Sequence, residues 1–442
     1  MGLGAAGTVV IEVLVALTLL PALLGFSGRK VLGRRAVPVH AVRTNGQRWV
    51  ELIARRPRTV LVTALLALSV LALPALSLTT ALPDEGSQST DSTNRRAYDL
   101  LSEAFGPGSN GPLVVVVEAT KQTGPKVVER VRARLTALDG VASVAPAVAN
   151  AAGDTFLVSV IAKGSPASEQ TKRLVSRIRA QAAPIERSTG STIAVTGQSA
   201  LQIDVADRLA RALPIYLLVV VGLALVLLTI VFRSVLVPLK AALGFLLTMA
   251  TTFGAVVAIF QWGWFSSVSG VTTTGPILSI LPIFMIGVIF GLAMDYEVFL
   301  VTRMREEHVH GADPTAAVVD GFRHGARVVS AAAVIMIGVF ASFVLSPDAT
   351  SKSLGFAFAF GIAIDAFVVR MTIVPAVMVL LGRRAWWLPA WLERFVPRVD
   401  IEGEGLRVLD EAELSLGSVH PGGVALTVAG KQEMGGARRN TG

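Results

Sequence analysis

The sequence predicts a polytopic α-helical membrane protein of about seven transmembrane helices, with one extracytoplasmic α/β domain between the second and third. Three observations carry this. The 442 residues are 52% hydrophobic and only 16% charged, too apolar for an ordinary soluble domain. Seven apolar runs are long enough to cross ~30 Å of hydrocarbon, which takes about 20 residues as helix. A long polar stretch between two of them alternates strand-like and helix-like periods. There are no cysteines, which excludes disulfide and thiolate chemistry. The net charge of +9 does not indicate nucleic acid, because basic residues of a membrane protein collect in its cytoplasmic loops.

The spans fall near 6–26, 59–80, 213–232, 238–260, 277–302, 327–346 and 353–381. The first has no basic leader and no small-x-small cleavage site, so it reads as a span rather than a signal peptide. Residues 27–58 hold nine Arg/Lys and one acid; the part at 31–58 is predicted to be a basic cytoplasmic linker. The turn VFRSVLVPLK and the segment RMREEHVHGADPTAAVVDGFRHGAR fall on the same side, whereas QWGWFSSVSGVTTTGP, without charge, falls opposite. Every loop agrees with an outside N-terminus and a cytoplasmic C-terminus in the inner (plasma) membrane. Residues 213–382 are then a five-helix bundle. Residues 383–442 are a cytoplasmic tail, partly disordered, with a short helix at 408–415.

Residues 81–212 form the outside domain. A helix is expected at 93–105. LVVVVE (113–118) reads as a buried strand, and Val127, Val128, Val131, Leu135 and Leu138 make a helical stripe. VASVAPAV (141–148) and TFLVSVIA (155–162) read as strands, SEQTKRLVSRIRAQAA (168–183) as an amphipathic helix and STIAVT (191–196) as a last strand. The order βαββαβ fits a ferredoxin-like split βαβ unit, a fold that names no function by itself. Residues 198–214 continue helically into the third span.

The fifth span carries acid in GLAMDYEVFL (291–300). A charge deep in a bilayer costs about 2.5–3.5 kcal/mol on insertion scales and persists where it meets a partner or a cavity. Gly287, Gly291 and Asp295 lie four apart on one helix face, and GVIFG is a small-xxx-small pattern that admits a close helix. Ala357, Gly361 and Asp365 repeat the pattern in the last span, with Arg370 a turn and a half on. The spacing favours Asp295 as a proton relay, with Tyr296 hydrogen-bonding in response to its charge; a structural ion pair is the alternative. For Asp365 the preference is reversed, because Arg370 is close enough to neutralise it. Glu297 and Arg303 read as anchors near the inner membrane surface, and Glu12 as an isolated packing or snorkelling residue.

The first and last spans end alike. Thr18-Leu-Leu-Pro21-Ala22 precedes Gly28-Arg29-Lys30, and Thr372-Ile-Val-Pro375-Ala376 precedes Gly382-Arg383-Arg384. Either a common helix exit recurs, or the first span is the last helix of a preceding repeat of a tandem transporter. GLAMDYEVFLVTRMREEH, IDAFVVRMTIVPAVMVLLGRRAWWLPAWL and ALTLLPALLG resemble the MMPL family of the resistance-nodulation-division superfamily, over residues 6 to 402. The resemblance implies an inner-membrane exporter of lipids or other hydrophobic metabolites driven by the proton gradient. It implies two repeats, each with a porter domain and an Asp-Tyr pair, the pairs facing each other. Asp295 and Tyr296 match the pair of the second repeat and take its proton role; Asp365 matches a recurrent supporting residue. Residues 1–30 then hold the last helix of a truncated first repeat. Transport would need a separately encoded first half or a second copy of the chain, or the chain is a truncated remnant.

Other classes fit less well. A retinal receptor needs a lysine inside its last span, and Lys352 lies at the outer edge. A hydrolase is disfavoured because His40, His308, His310, His324 and His420 all fall in cytoplasmic loops or the tail, none placed to activate a nucleophile. His308-x-His310 reads as solvated rather than metal-binding. The expectation is a transporter and not an enzyme, with no cofactor, no metal and no nucleic acid. Its partners would be protons, the membrane and a lipid or hydrophobic small molecule. A non-transporting binding or scaffold subunit is the alternative function.

Overall fold

The computed structural model describes residues 2–27, 45–265, 270, 274–309, 311–394 and 396. The tail beyond 396, with the expected helix at 408–415, lies outside them. The chain divides into two units, Met1–Arg48 and Trp49–Gly442. The first contains α1 (Gly2–Ser27), an apolar helix with Pro21 inside it.

The second unit begins within α2 (Asn45–Arg55), a helix in place of the linker expected at 31–58. Val50 and Ile53, three apart, are buried on one face, and Trp49 Nε1 donates to Met371 O at 3.1 Å. This apolar face makes a docked helix of what its charge alone marks as a loop. The second span follows as α3 (Pro57–Ala72), started by Pro57 in the first turn, where no N–H is missed.

The chain enters the inserted domain through the two-residue β1 (Thr80–Ala81) and reaches α4 (Thr93–Phe105), whose N-cap Ser92 accepts from Arg95 N. It continues through β2 (Leu113–Glu118), α5 (Gly124–Thr136), β3 (Val141–Val144), β4 (Val148–Ala149), β5 (Thr155–Ala162), α6 (Glu169–Thr189) and β6 (Thr192–Thr196). The strand order is β3-β5-β2-β6, with β4 also on β5, and every pairing is antiparallel. Strand β2 shows why one face is buried: Leu113, Val115 and Val117 alternate with half-exposed Val114 and Val116. The buried three pack on Val127, Val128 and Val131 of α5 and Leu174 and Ile178 of α6. The segment expected as one strand at 141–148 is two, interrupted at Ala145–Ala147 where Pro146 cannot donate to a ladder.

Helix α7 (Gln198–Phe232) runs unbroken from this domain through the third span, roughly 50 Å at 1.5 Å per residue. The remaining spans are α8 (Leu236–Val256) with a π turn to Gln261, α9 (Leu281–Val309) and α10 (Pro314–Ser342). The last is a composite of α11 (Ala349–Ala363), a π segment (Ile364–Ile373) and α12 (Val374–Leu381). A 3-10 turn (Gly382–Trp386) and the short α13 (Ala390–Glu393) follow. Seven helices among the described residues are long and apolar enough to cross a membrane. The fifth does not begin at 277: Ile277–Leu278 form β7, which pairs in parallel with β1. α8 and the composite span are the most buried, whereas α7 and α10 turn apolar side chains outward. Gly254 sets the closeness of α8 to α3, since a side chain there would run into the Leu71 carbonyl oxygen.

Candidate functional site

The centre of the bundle is where α8, α9 and the π segment converge, and it holds four charges. Glu297 is 0% exposed, Arg370 0% and Asp365 2%. Lys240 Nζ of α8 donates to Glu297 Oε1 at 2.5 Å, and Arg370 Nη1 donates to Glu297 Oε2. Arg370 Nε donates to Asp365 Oδ2 at 3.2 Å, and Thr248 of α8 places its hydroxyl 3.4 Å from Asp365 Oδ1. Two cations and two carboxylates sum to zero, which is what burial of ions demands. Arg370 Nη2 is buried with no partner among the described residues.

The π segment explains the Asp365–Arg370 contact. In an α-helix residues five apart point about 140° away from each other. The wider i→i+5 turn brings them back to one side. Glu297 is thus not an anchor at the membrane surface. It is the node joining Lys240 and Arg370, and nothing in local sequence distinguishes it from a surface glutamate ahead of RMREE. The available signal was Lys240, the one charged residue between Arg233 and Asp295 in the sequence.

Asp295 lies elsewhere. It is two residues from Glu297, about 200° around α9, and it is exposed. It makes no hydrogen bond or ion pair with the described residues. Gly287 and Gly291 share its face and are exposed too; a side chain at Gly291 would meet nothing within 4 Å, and one at Gly287 only the Tyr216 hydroxyl. Phe284 and Phe299 flank this stripe, each partly exposed. Tyr296 is half-buried between the two faces, within Coulombic reach of both Asp295 and Asp365. Gly361 differs from the other two glycines: it is buried, and a side chain there would strike Ile289 of α9 and crowd Thr252 of α8.

A second feature lies where the inserted domain meets the bundle. A cavity of about 210 Å³ is lined by Asp84, Ser87, Tyr98, Phe260, Thr350 and Ser353 among others. Burial raises the Asp84 carboxyl above the usual range, helped by the adjacent Glu85 charge. Burial and then the Asp84 charge push the Tyr98 phenol up to about 12. The β1–β7 ladder forms one wall, through Ala81, Ile277 and Leu278. The side chain of Gln261 braces the same place, donating to Ser77 O and accepting from Thr79 N.

Comparison with known proteins agrees with the membrane architecture. A family model described as the MMPL family matches residues 1–60 and 87–399. The chain is 43% identical over 408 residues to membrane protein YdfJ of Bacillus subtilis, covering 92% of this chain and 56% of YdfJ. It is 34% identical over 417 residues to the mycolic acid-containing lipids exporter MmpL11 of Mycolicibacterium smegmatis, covering 91% of this chain and 43% of that protein. It is 33% identical over 417 residues to the heme uptake protein MmpL11 of Mycobacterium tuberculosis, covering 91% and 42% respectively. The chain therefore spans about half the length of the curated relatives it matches.

Proposed function

The chain belongs to the MMPL family of membrane proteins, and from that premise we propose that it is part of a proton-driven exporter of lipids or other hydrophobic metabolites. The observation that carries the reading is the position of Asp295. It is an unpaired carboxylate in mid-span, at the end of a stripe of small residues, on a face of α9 that the described residues leave uncovered. An ionised group in that place is costly unless a cavity or a further helix receives it. Protonation removes the cost, so the face can be wetted when charged and closed when neutral. Moving one charge across 100 mV is worth about 2.3 kcal/mol, enough to bias such a cycle. Tyr296, within Coulombic reach of Asp365, would sense that charge and pass the change to the buried network.

The inserted domain is read as a ferredoxin-like porter domain, supported by its βαββαβ order and the β3-β5-β2-β6 arrangement. The cavity beside Asp84 and Tyr98 is the place where cargo would meet it. The relatives' names mention both lipid export and heme uptake, so the cargo class rests on its being hydrophobic. Orientation with the C-terminus cytoplasmic rests on the basic loops.

The test is transport in proteoliposomes carrying an imposed pH gradient, using a fluorescent lipid as cargo and any required partner half co-reconstituted. Wild type should move cargo only with the gradient. Asp295→Asn should reduce the rate at least about a hundredfold, while lipid binding to the purified protein is unchanged. Gradient-independent movement, or full activity of the variant, would exclude the relay. Binding without movement under all conditions would favour a binding or scaffold subunit.

A further inference from the structure

We propose that a cavity at the end of the bundle remote from the inserted domain binds the phosphate of an anionic lipid headgroup. The cavity measures about 360 Å³. It lies where α7 and α9 end and is bounded by Phe232, Arg233, Arg305, His308, Trp386 and Glu393. α7 starts in the inserted domain and α9 starts beside β7, so their last residues lie at the opposite end of the bundle.

Its polar groups are arranged for an anion. Arg233, Arg305 and His308 line it, with Glu393 as the carboxylate among the lining residues. Arg305 Nη1 donates to Val231 O at 2.7 Å, which fixes its guanidinium at the end of α7. Arg233 Nη1 donates to Val396 O at 3.0 Å, and its Nη2 donates to Glu393 Oε1 at 3.2 Å. The Glu393 side chain is 58% exposed, so this pair is a weak, screened one that a phosphate can displace. Arg233 holds a left-handed backbone conformation, φ 48°, at the C-cap of α7, a place that favours glycine.

His308 stacks on Trp386, ring centroids 5.8 Å apart and planes 17° off parallel. Its Nδ1 is buried with no hydrogen-bond partner among the described residues. A buried polar atom without a partner is uncommon and calls for one. The His308 ring lines the cavity, so a small turn of the imidazole lets an anionic oxygen there accept from it, while guanidinium groups take the other oxygens.

The source of the phosphate follows from the surroundings. Trp387 and Trp391, 55% and 68% exposed, stand beside Trp386 as an aromatic belt of the kind that sits at headgroup level. Arg383 and Arg384 precede them in the 3-10 turn. A basic pocket between helix ends at headgroup depth takes anionic lipid.

The measurement is native mass spectrometry of the full chain in detergent, titrated with phosphatidylglycerol or phosphatidylcholine. Wild type should retain phosphatidylglycerol in preference. Arg305→Gln and His308→Gln should each lose about tenfold or more in affinity, Arg305→Lys less. Arg303→Gln, whose parent side chain on the same helix pairs with Glu306 outside the cavity, should bind as wild type. If Arg305→Gln does not purify as a monodisperse protein, His308→Gln and Arg305→Lys carry the comparison. Equal retention of the two lipids, or unchanged binding in His308→Gln, would overturn the proposal. Displacement of the lipid by an equal concentration of inorganic phosphate would assign the cavity to soluble anions and overturn the lipid assignment.

Discussion

Glu297 and Asp295 are two residues apart and in opposite circumstances. Glu297 is neutralised twice, by Lys240 and Arg370, and its removal strands both cations. Breaking a buried pair in this way costs about 3–5 kcal/mol, so Glu297→Ala should lower the unfolding midpoint sharply in a thermal melt of the detergent-solubilised chain. Asp295→Asn should leave the midpoint nearly unchanged, since Asp295 has no partner to strand. Arg370 serves Glu297 through Nη1 and Asp365 through Nε. A lysine presents one point charge and not this fork, so Arg370→Lys should also destabilise, by roughly 1–3 kcal/mol. Two groups outside the membrane make opposite predictions for pH. The folded-state pKa of Asp84 is raised by burial, so the folded chain binds a proton in a window where the unfolded chain does not. Its contribution is full below the ordinary carboxylate range and is lost as pH rises through the raised value; Asp84→Asn should remove that decline. Asp204 is lowered by the two-bond Arg179 contact, 2.6 and 2.7 Å, so its contribution is lost as pH falls. The pair is well exposed and worth about 1 kcal/mol or less.

At the scale of elements, two departures from regular helix do the positioning. The π segment aligns Asp365 with Arg370, and the β1–β7 ladder ties the start of α9 to the entry of the inserted domain. Motion of α9 is thus coupled by backbone hydrogen bonds to the strand that leads into that domain, and by α7 to the strand that leads out. Close packing makes such coupling stiff. Gly254 lies against the Leu71 carbonyl and Gly361 against Ile289, so α8 touches α3 and α9 touches α11 with no room for a methyl group. Gly254→Val should force α3 from α8 and cost on the order of 1–3 kcal/mol, read as a lower melting temperature. Gly291→Ala, on the open stripe of α9, should cost nothing in the chain alone. A change of transport rate or of assembly in that variant would report a helix received there.

At the largest scale, polarity within the second unit is layered. An inserted domain with its own apolar core sits at one end, a bundle with a neutralised ionic centre lies in the middle, and a basic, tryptophan-rich rim closes the other end. The bundle presents two kinds of exposed apolar surface. α7 and α10 offer continuous aliphatic surface suited to lipid, whereas α9 offers small residues, two phenylalanines and a carboxylate, which lipid solvates poorly. The uncovered small-residue face of α9 predicts association there with a further bundle or a second copy when the chain is reconstituted. Crosslinking from a cysteine placed at Gly291 should report it, in a protein that has no cysteine of its own.

Amino-acid order by itself determined the spans, the helix at 93–105 and the βαββαβ succession, because each is written in local periodicity. It also pointed to Asp365 beside Arg370. Tertiary structure alone decided that Glu297, not Asp295, is the buried carboxylate of α9, that 45–55 is a docked helix, and that Ile277–Leu278 leave the fifth span to pair with Thr80–Ala81. The reason is physical. Helical and strand periods depend on neighbours along the chain. Which face of a helix is covered, and which ion meets which, depends on helices some 57 and 73 residues away in sequence, Lys240 and Arg370 about Glu297.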